Sequence, residues 1–372
     1  MVSKTYLEGF IPAGAKQKEC LKCGICLQNC PVMKMGQEES EAEMTRLINA
    51  EETKRVLNEC TFCFSCNNNC PHGLKPYNLI MERMAEHNRK NNMELPPFVI
   101  YMINGRNEPG FFNEQYLESP DEHKAIIKRW SEVPAKTKDV LYIGCYGRTI
   151  PFGIENSKAL ENLPKYGPRD ICCGDIPYRF GDYQAFSEIA EKAFKRLSLL
   201  KADRLVCFCD SCANYFGNVW PNCHGVKLPF EFISLYEWLW EQYQEGQLLI
   251  QKRVKKDIVI SDSCHAGEQG DRVISSVRGL YEAIGMNVVE LKNNKNDSLC
   301  CGFASKLRCS QNQAGISVET QRKVQQILET RIDDVSFNCH GCKGHLNDEE
   351  MGTNIKLHYA MDDILGAFGV IS

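Results

Sequence analysis

The chain has 372 residues, 43% of them apolar and 25% charged, and a formal net charge of -4. That composition belongs to a globular protein of two or three domains, large enough to bury a core without covalent staples. A mildly acidic balance offers no basic footprint for nucleic acid, and no uncharged apolar window reaches the length of a membrane span; Phe232 to Trp240 is short and contains Glu237. Met1 to Phe10 lacks the basic start and apolar core of a signal peptide, so a cytoplasmic location is expected. Most of the 21 cysteines cluster in C-x-x-C groups and adjacent pairs, the arrangement of metal ligands in a reducing compartment.

The first ninety residues carry Cys20-x-x-Cys23-x-x-Cys26-x-x-x-Cys30-Pro31 and Cys60-x-x-Cys63-x-x-Cys66-x-x-x-Cys70-Pro71. This spacing wraps three thiolates around one iron-sulfur cube and sends the fourth to the other. It assigns Cys20, Cys23, Cys26 and Cys70 to one 4Fe-4S cluster, and Cys60, Cys63, Cys66 and Cys30 to a second. Zinc ribbons or a set of disulfides are the rival readings. Met33 to Leu57 and Tyr77 to Lys90 are rich in helix formers and predict helices, giving a helical ferredoxin type rather than a small β-rich one.

Residues 91–137 contain Pro96-Pro97, Gly105, Gly110 and Pro134, with one helix expected from Asp121 to Trp130. They read as a surface connector whose aromatic residues Phe98, Tyr101, Phe111 and Phe112 pack against the flanking domains and bind nothing.

From Lys138 short apolar strands alternate with amphipathic helices. Strands are expected at Asp139 to Cys145, Arg204 to Cys209, Lys256 to Ser261, Asn287 to Leu291 and Val335 to Cys339. Helices are expected at Asp182 to Leu200, Phe232 to Gln242, Asp271 to Ile284 and Gly315 to Arg331. The first of these helices carries an apolar face of Phe186, Ile189, Ala190, Ala193, Phe194 and Leu197.

A cysteine pattern occurs twice on this frame. Cys145, Cys172-Cys173-Gly174 and Cys209-x-x-Cys212 are followed by Cys264, Cys300-Cys301-Gly302 and Cys339-x-x-Cys342. An adjacent pair places two sulfurs poorly on one tetrahedral ion but suits a cluster in which neighbouring irons each take a thiolate. Lys227-Leu228-Pro-Phe-Glu-Phe-Ile also resembles Lys356-Leu357-His-Tyr-Ala-Met-Asp. The fold expected is thus α/β: residues 1–90 a helical ferredoxin-type domain, 91–137 the connector, and 138–250 and 251–372 two copies of one unit related by a pseudo-twofold axis. The ligands would sit beyond the carboxyl ends of the strands.

The paired five-cysteine pattern resembles the CCG-domain catalytic subunit of heterodisulfide reductase. The amino-terminal module resembles that enzyme's ferredoxin-like subunit, and the two in one chain resemble its fused D-type form. The resemblance implies two CCG repeats, each quintet holding a non-cubane 4Fe-4S cluster at which a disulfide is cleaved. It also implies two cubane clusters feeding them. One departure stands out: 26 residues separate Cys145 from Cys172, against 35 between Cys264 and Cys300. If either quintet holds an incomplete cluster, or zinc, the first is the one to suspect.

Cleaving a disulfide also needs protons. His265, directly after Cys264, is the candidate donor, with His340 inside the last C-x-x-C as a second; both could instead hydrogen-bond cluster sulfides. Lys306 and Lys343 are weaker candidates for attracting an anionic substrate. Cys207, Cys223 and Cys309 fall outside every motif and read as small buried residues. Neither a G-x-G-x-x-G turn nor a P-loop occurs. A flavin would therefore belong to a partner, either a flavin-containing redox subunit or a membrane cytochrome or quinone-linked subunit. The alternative function is an electron-transfer subunit without its own substrate, linking a flavoprotein to a larger redox enzyme or quinone carrier. A zinc-stabilised scaffold is a third reading.

Overall fold

The computed structural model describes residues 5–12, 14–105, 110–264, 270–304, 318–346 and 355–370. His265, Lys306 and Cys309 lie outside the described residues.

In the amino-terminal part the first long helix runs Gln37–Ile48, shorter than the Met33 to Leu57 expected from composition. Gly36 precedes it in extended geometry and Ala50 follows at φ 58°, so the chain leaves the helical path at both ends. Met44 and Leu47 are buried on its inner face. The adjacent Glu43 carboxylate accepts the backbone N–H groups of Lys54, Arg55 and Val56 at 2.9, 3.0 and 3.1 Å. It thereby caps the short helix Val56–Glu59 from a distance in sequence. Those N–H groups hold its pKa below the ordinary value although burial opposes ionisation. The helix Pro76–Lys90 begins with proline in its first turn, buries Leu79, Ile80, Met81 and Met84, and ends in His87, Arg89 and Lys90, which suit its negative end.

Among its described residues the connector holds three helices, Pro97–Met102, Phe111–Glu118 and Asp121–Arg129, where one was expected. Beyond it the described residues form two four-stranded parallel sheets. β1 (Thr137–Tyr142), β2 (Lys165–Tyr166), β3 (Ala202–Cys207) and β4 (Glu231–Ser234) have the order β2-β1-β3-β4. β5 (Asp257–Ser261), β6 (Asn287–Glu290), β7 (Asp334–Phe337) and β8 (Lys356–Tyr359) have the order β6-β5-β7-β8. The chain is therefore mixed α/β, a helical amino-terminal domain followed by two α/β repeats of one topology.

Three expectations change in the repeats. Phe232 and Ile233 lie in β4, paired with Leu205 and Val206, and the helix starts only at Leu235. A Ser234–Glu237 capping box fixes that start, a local signal that outweighs the apolar run before it. The likeness of Lys227 to Lys356 is also out of register, since Lys227 lies four residues before β4 whereas Lys356 opens β8. On the helix Tyr183–Leu197 the inner face is Ala185, Phe186, Ile189, Ala190, Ala193 and Leu197, while Phe194 is 37% exposed.

The repeats share one core. Ile233 and Leu239 from the first meet Val277, Tyr281, Met361 and Ile364 from the second, and each such side chain, fully buried, contributes about 1.5–3 kcal/mol. At the base of each sheet the two central strands are tied by an ion pair of opposite polarity. Arg204 of β3 clasps Asp139 of β1 at 2.7 and 3.0 Å, whereas Lys256, just before β5, meets Asp334 of β7 at 2.7 Å.

Candidate metal centre

The two amino-terminal motifs share a backbone device. Lys22 and Gly24 in the first, and Phe62 and Phe64 in the second, all have left-handed φ values, of 57°, 69°, 59° and 63°. For phenylalanine this geometry is strained, and both rings are 1% exposed, so packing holds them there. The reversals bring the thiols together. Cys20, Cys23 and Cys26 act electrostatically on one another, and Cys70 acts on Cys20 and Cys26. Cys60, Cys63 and Cys30 likewise surround Cys66.

Burial and neighbouring sulfur push Cys20, Cys26, Cys30 and Cys66 upward, Cys30 to about 11, so at neutral pH these four keep their protons until a metal displaces them. Cys30, Cys60, Cys63 and Cys66 line a cavity together with Thr61 and Tyr77, whose buried hydroxyls have no partner among the described residues. Soft thiolates with hydroxyl donors beside them fit an iron-sulfur cluster, whose sulfides accept hydrogen bonds.

Each repeat assembles five thiols above the carboxyl ends of its two central strands, between β1 and β3 and between β5 and β7, where the strand order reverses. In the first, sulfur contacts run Cys145, Cys172, Cys173, Cys212, Cys209. In the second they run Cys300, Cys301, Cys342, Cys339, and Cys264 lies close enough to act on Cys300 while Cys339 and Cys301 act on it. The glycine after each pair is required by its backbone, at φ 85° for Gly174 and 88° for Gly302. A Cβ at Gly174 would also lie 2.7 Å from the Phe186 ring. Tyr142, beneath the first quintet, has a buried hydroxyl with no partner among the described residues, a donor suited to a cluster sulfide. The described cysteines are all free thiols, and among the described residues no three His, Cys, Asp or Glu side chains converge on a single ion.

The four thiol groups form a series. Cys26 acts on Cys66, Cys63 on Cys300, and Cys209 on Cys339. His340 sits at the last junction. It belongs to the second repeat, yet its Nδ1 lies 3.9 Å from Cys209 Sγ of the first, and its ring stacks on Tyr146 at 3.8 Å and 8°. Burial opposes its charge, but the Cys209 and Cys339 thiolates outweigh it and push the imidazole up to about 9. Its counterpart in the first repeat is Asp210, which burial pushes well above the carboxylate range and which accepts the Ser234 hydroxyl at 2.6 Å.

A cavity of about 330 Å³ reaches Cys145, the only partly exposed thiol of the first quintet. Its walls include Arg148, Arg169, Asn113 and Tyr116. Arg169 lies 3.5 Å over the Tyr116 ring and donates to Asn113, while buried Arg148 donates to the carbonyls of Pro168 and Ile171. Sequence reasoning missed both arginines, because the connector that closes the cavity reads as featureless. Phe112 lines this cavity, and Phe98 is 47% exposed rather than packed. Lys343 is exposed on the helix His340–His345. Cys207 and Cys223 are buried and stand outside both quintets.

A profile of the 4Fe-4S dicluster domain matches residues 16–74, and one of the cysteine-rich CCG domain matches twice, at 141–217 and 258–347. The D-type subunit of dihydromethanophenazine:CoB–CoM heterodisulfide reductase from Methanosarcina barkeri is 23% identical over 80% of this chain and 74% of its own length. Its equivalent from Methanosarcina acetivorans is 22% identical over 93% and 91%. EtfAB:quinone oxidoreductase of Syntrophomonas wolfei is 20% identical over 85% of this chain and 51% of its own. Among the described residues no helix is long and apolar enough to cross a membrane.

Proposed function

We propose, for a chain that is a CCG-domain iron-sulfur protein similar to the D-type component of heterodisulfide reductase, that it reduces a small organic disulfide with electrons delivered by a partner. That it is an iron-sulfur oxidoreductase follows from its two kinds of domain and its relatives. The observation that carries the finer reading is the unbroken series of four thiol groups ending at a cavity.

In this reading Cys20, Cys23, Cys26 and Cys70 hold one cubane cluster and Cys60, Cys63, Cys66 and Cys30 the other. Cys145, Cys172, Cys173, Cys209 and Cys212 hold one non-cubane cluster, and Cys264, Cys300, Cys301, Cys339 and Cys342 the second. When bound, such clusters supply one-electron transfer and an iron site for sulfur. The disulfide takes up two electrons and two protons and leaves as two thiols. Arg148 and Arg169 give the cavity beside Cys145 a positive character, which favours a disulfide carrying a carboxylate, sulfonate or phosphate. His265 and His340 are assigned as proton sources for the departing thiolates. Electrons enter at the ferredoxin-type end from a flavin-containing or quinone-linked partner.

The test is turnover of low-molecular-weight anionic disulfides by the anaerobically purified chain with reduced viologen. Thiol release at a rate that depends on the chain supports the reading. A second reading rests on the likeness to EtfAB:quinone oxidoreductase: an electron-transfer component without its own substrate. Clusters that reduce and reoxidise with a flavoprotein or quinone, while no disulfide is consumed, would replace the first reading with the second.

A further inference from the structure

One buried cation belongs to three parts of the molecule at once. Arg179 closes the helix Asp175–Arg179 that follows the first Cys-Cys-Gly, and its side chain is 8% exposed. Its Nε lies 2.7 Å from Asp175 Oδ1 of the same turn. Its Nη2 reaches across the repeat boundary to 3.4 Å from Cys264 Sγ, a thiol of the second quintet. Its guanidinium also lies 5.2 Å over the ring of Phe64, the left-handed residue between Cys63 and Cys66. A rigid planar cation suits this task, because its fork can hold a carboxylate with one edge and a sulfur with another.

We propose that Arg179 is a positioning residue that sets the reduction potential of the cluster held by the second quintet, by keeping a positive charge and an N–H donor against Cys264. The inference rests on the reading of that quintet as a cluster site. A hydrogen bond and a buried positive charge at a ligating sulfur both stabilise the reduced, more negative state, so they raise the potential. At the first quintet Arg148 also brings a positive charge to Cys145, but its N–H donors go to two backbone carbonyls and not to sulfur, so the paired charge and sulfur hydrogen bond belong to Arg179. The arrangement is also placed for electron entry, since Cys63 of the ferredoxin-type domain acts on Cys300 of the same second quintet.

The experiment is an anaerobic redox titration of the full chain, followed by electron paramagnetic resonance, on wild type, Arg179→Gln and Arg179→Lys, with iron and zinc measured in each. The expected result is unchanged iron, unchanged midpoints for the cubane signals, and one CCG-type signal shifted to lower potential in Arg179→Gln. Arg179→Lys, which restores the charge, should recover part of the shift. Unmoved midpoints in both variants at full iron content would overturn the proposal. So would equal loss of iron from both variants, which would make Arg179 a structural strut. Zinc in place of four irons in the wild type would instead overturn the cluster reading itself, and the proposal with it.

Discussion

Cys209 Sγ and His340 Nδ1 lie 3.9 Å apart, although one belongs to the first repeat and the other to the second. This contact makes the space between the quintets a joint product of both repeats. His340→Gln keeps a hydrogen-bonding side chain of similar reach but cannot carry the proton. Disulfide turnover is expected to fall by about 10²-fold or more while iron content stays at the wild-type value. Parallel iron analysis and viologen-linked assays check this, and loss of four irons with the activity would show that His340 supports the cluster instead.

Metal content follows from the thiol groups. Anaerobically purified chain is expected to carry roughly sixteen irons with matching acid-labile sulfide, four for each of four clusters. Cys300→Ser should remove about four of them and leave the ferredoxin-type signals intact. Full retention of iron in that variant would show that Cys300 holds none.

Gly174→Ala tests the backbone of the first quintet. The position has φ 85°, and the new Cβ would lie 2.7 Å from the Phe186 ring. A cost of about 1–3 kcal/mol is expected, with iron lost from the first quintet in preference to the second. Thermal unfolding and iron analysis read the two effects, and an unchanged melting temperature would remove the steric argument.

The cavity at Cys145 is tested by Arg169→Ala. Arg169 is half-buried and lies on the wall rather than among the thiols. KM for an anionic disulfide should rise about tenfold with kcat little changed, the signature of lost uniform binding, while a neutral disulfide should be unaffected. Equal effects on both substrates would show that the arginine shapes the cavity and does not read charge.

A pH effect is expected at the base of the second sheet. His358 hydrogen-bonds Asp363 at 3.1 Å and Asp334 at 2.7 Å, and these carboxylates raise its pKa above 6.5 although burial and Lys256 oppose the charge. Its contribution is thus complete below pH 6.5 and is lost as pH rises through the elevated folded value. Asp334 is held below 3.8 by Lys256 and His358 against its burial, so its contribution persists above 3.8 and fades in stronger acid. Melting temperature against pH should decline above 6.5 in wild type and stay flatter in His358→Gln. Parallel curves would mean that the triad does not couple to folding.

The grouping of thiols was legible because it is written in short spacings, and the alternation of strand and helix in the repeats was legible for the same reason. The two-residue strand β2 offers too little pattern to read, and β4 reads as helix in the sequence because Phe232 and Ile233 run straight into the apolar helix that Ser234 caps. What sequence could not disclose is long-range. The contacts His340–Cys209 and Arg179–Cys264 span 131 and 85 residues, and no local rule connects them. The cavity arginines were hidden for a related reason, since their surroundings include a connector with no periodicity of its own.

The opposed ion pairs at the sheet bases bear on how the chain reaches its fold. Two sheets of the same strand order in one polypeptide invite exchange, with a central strand of one repeat nucleating on its counterpart's partner. Such a chimeric pairing of β1 with β7 would set Asp139 against Asp334, and β5 with β3 would bring Lys256 toward Arg204. Each mismatch juxtaposes like charges where the proper pairing has opposite ones, so the polarity reversal serves as an address that tells each half of the protein which strand is its own.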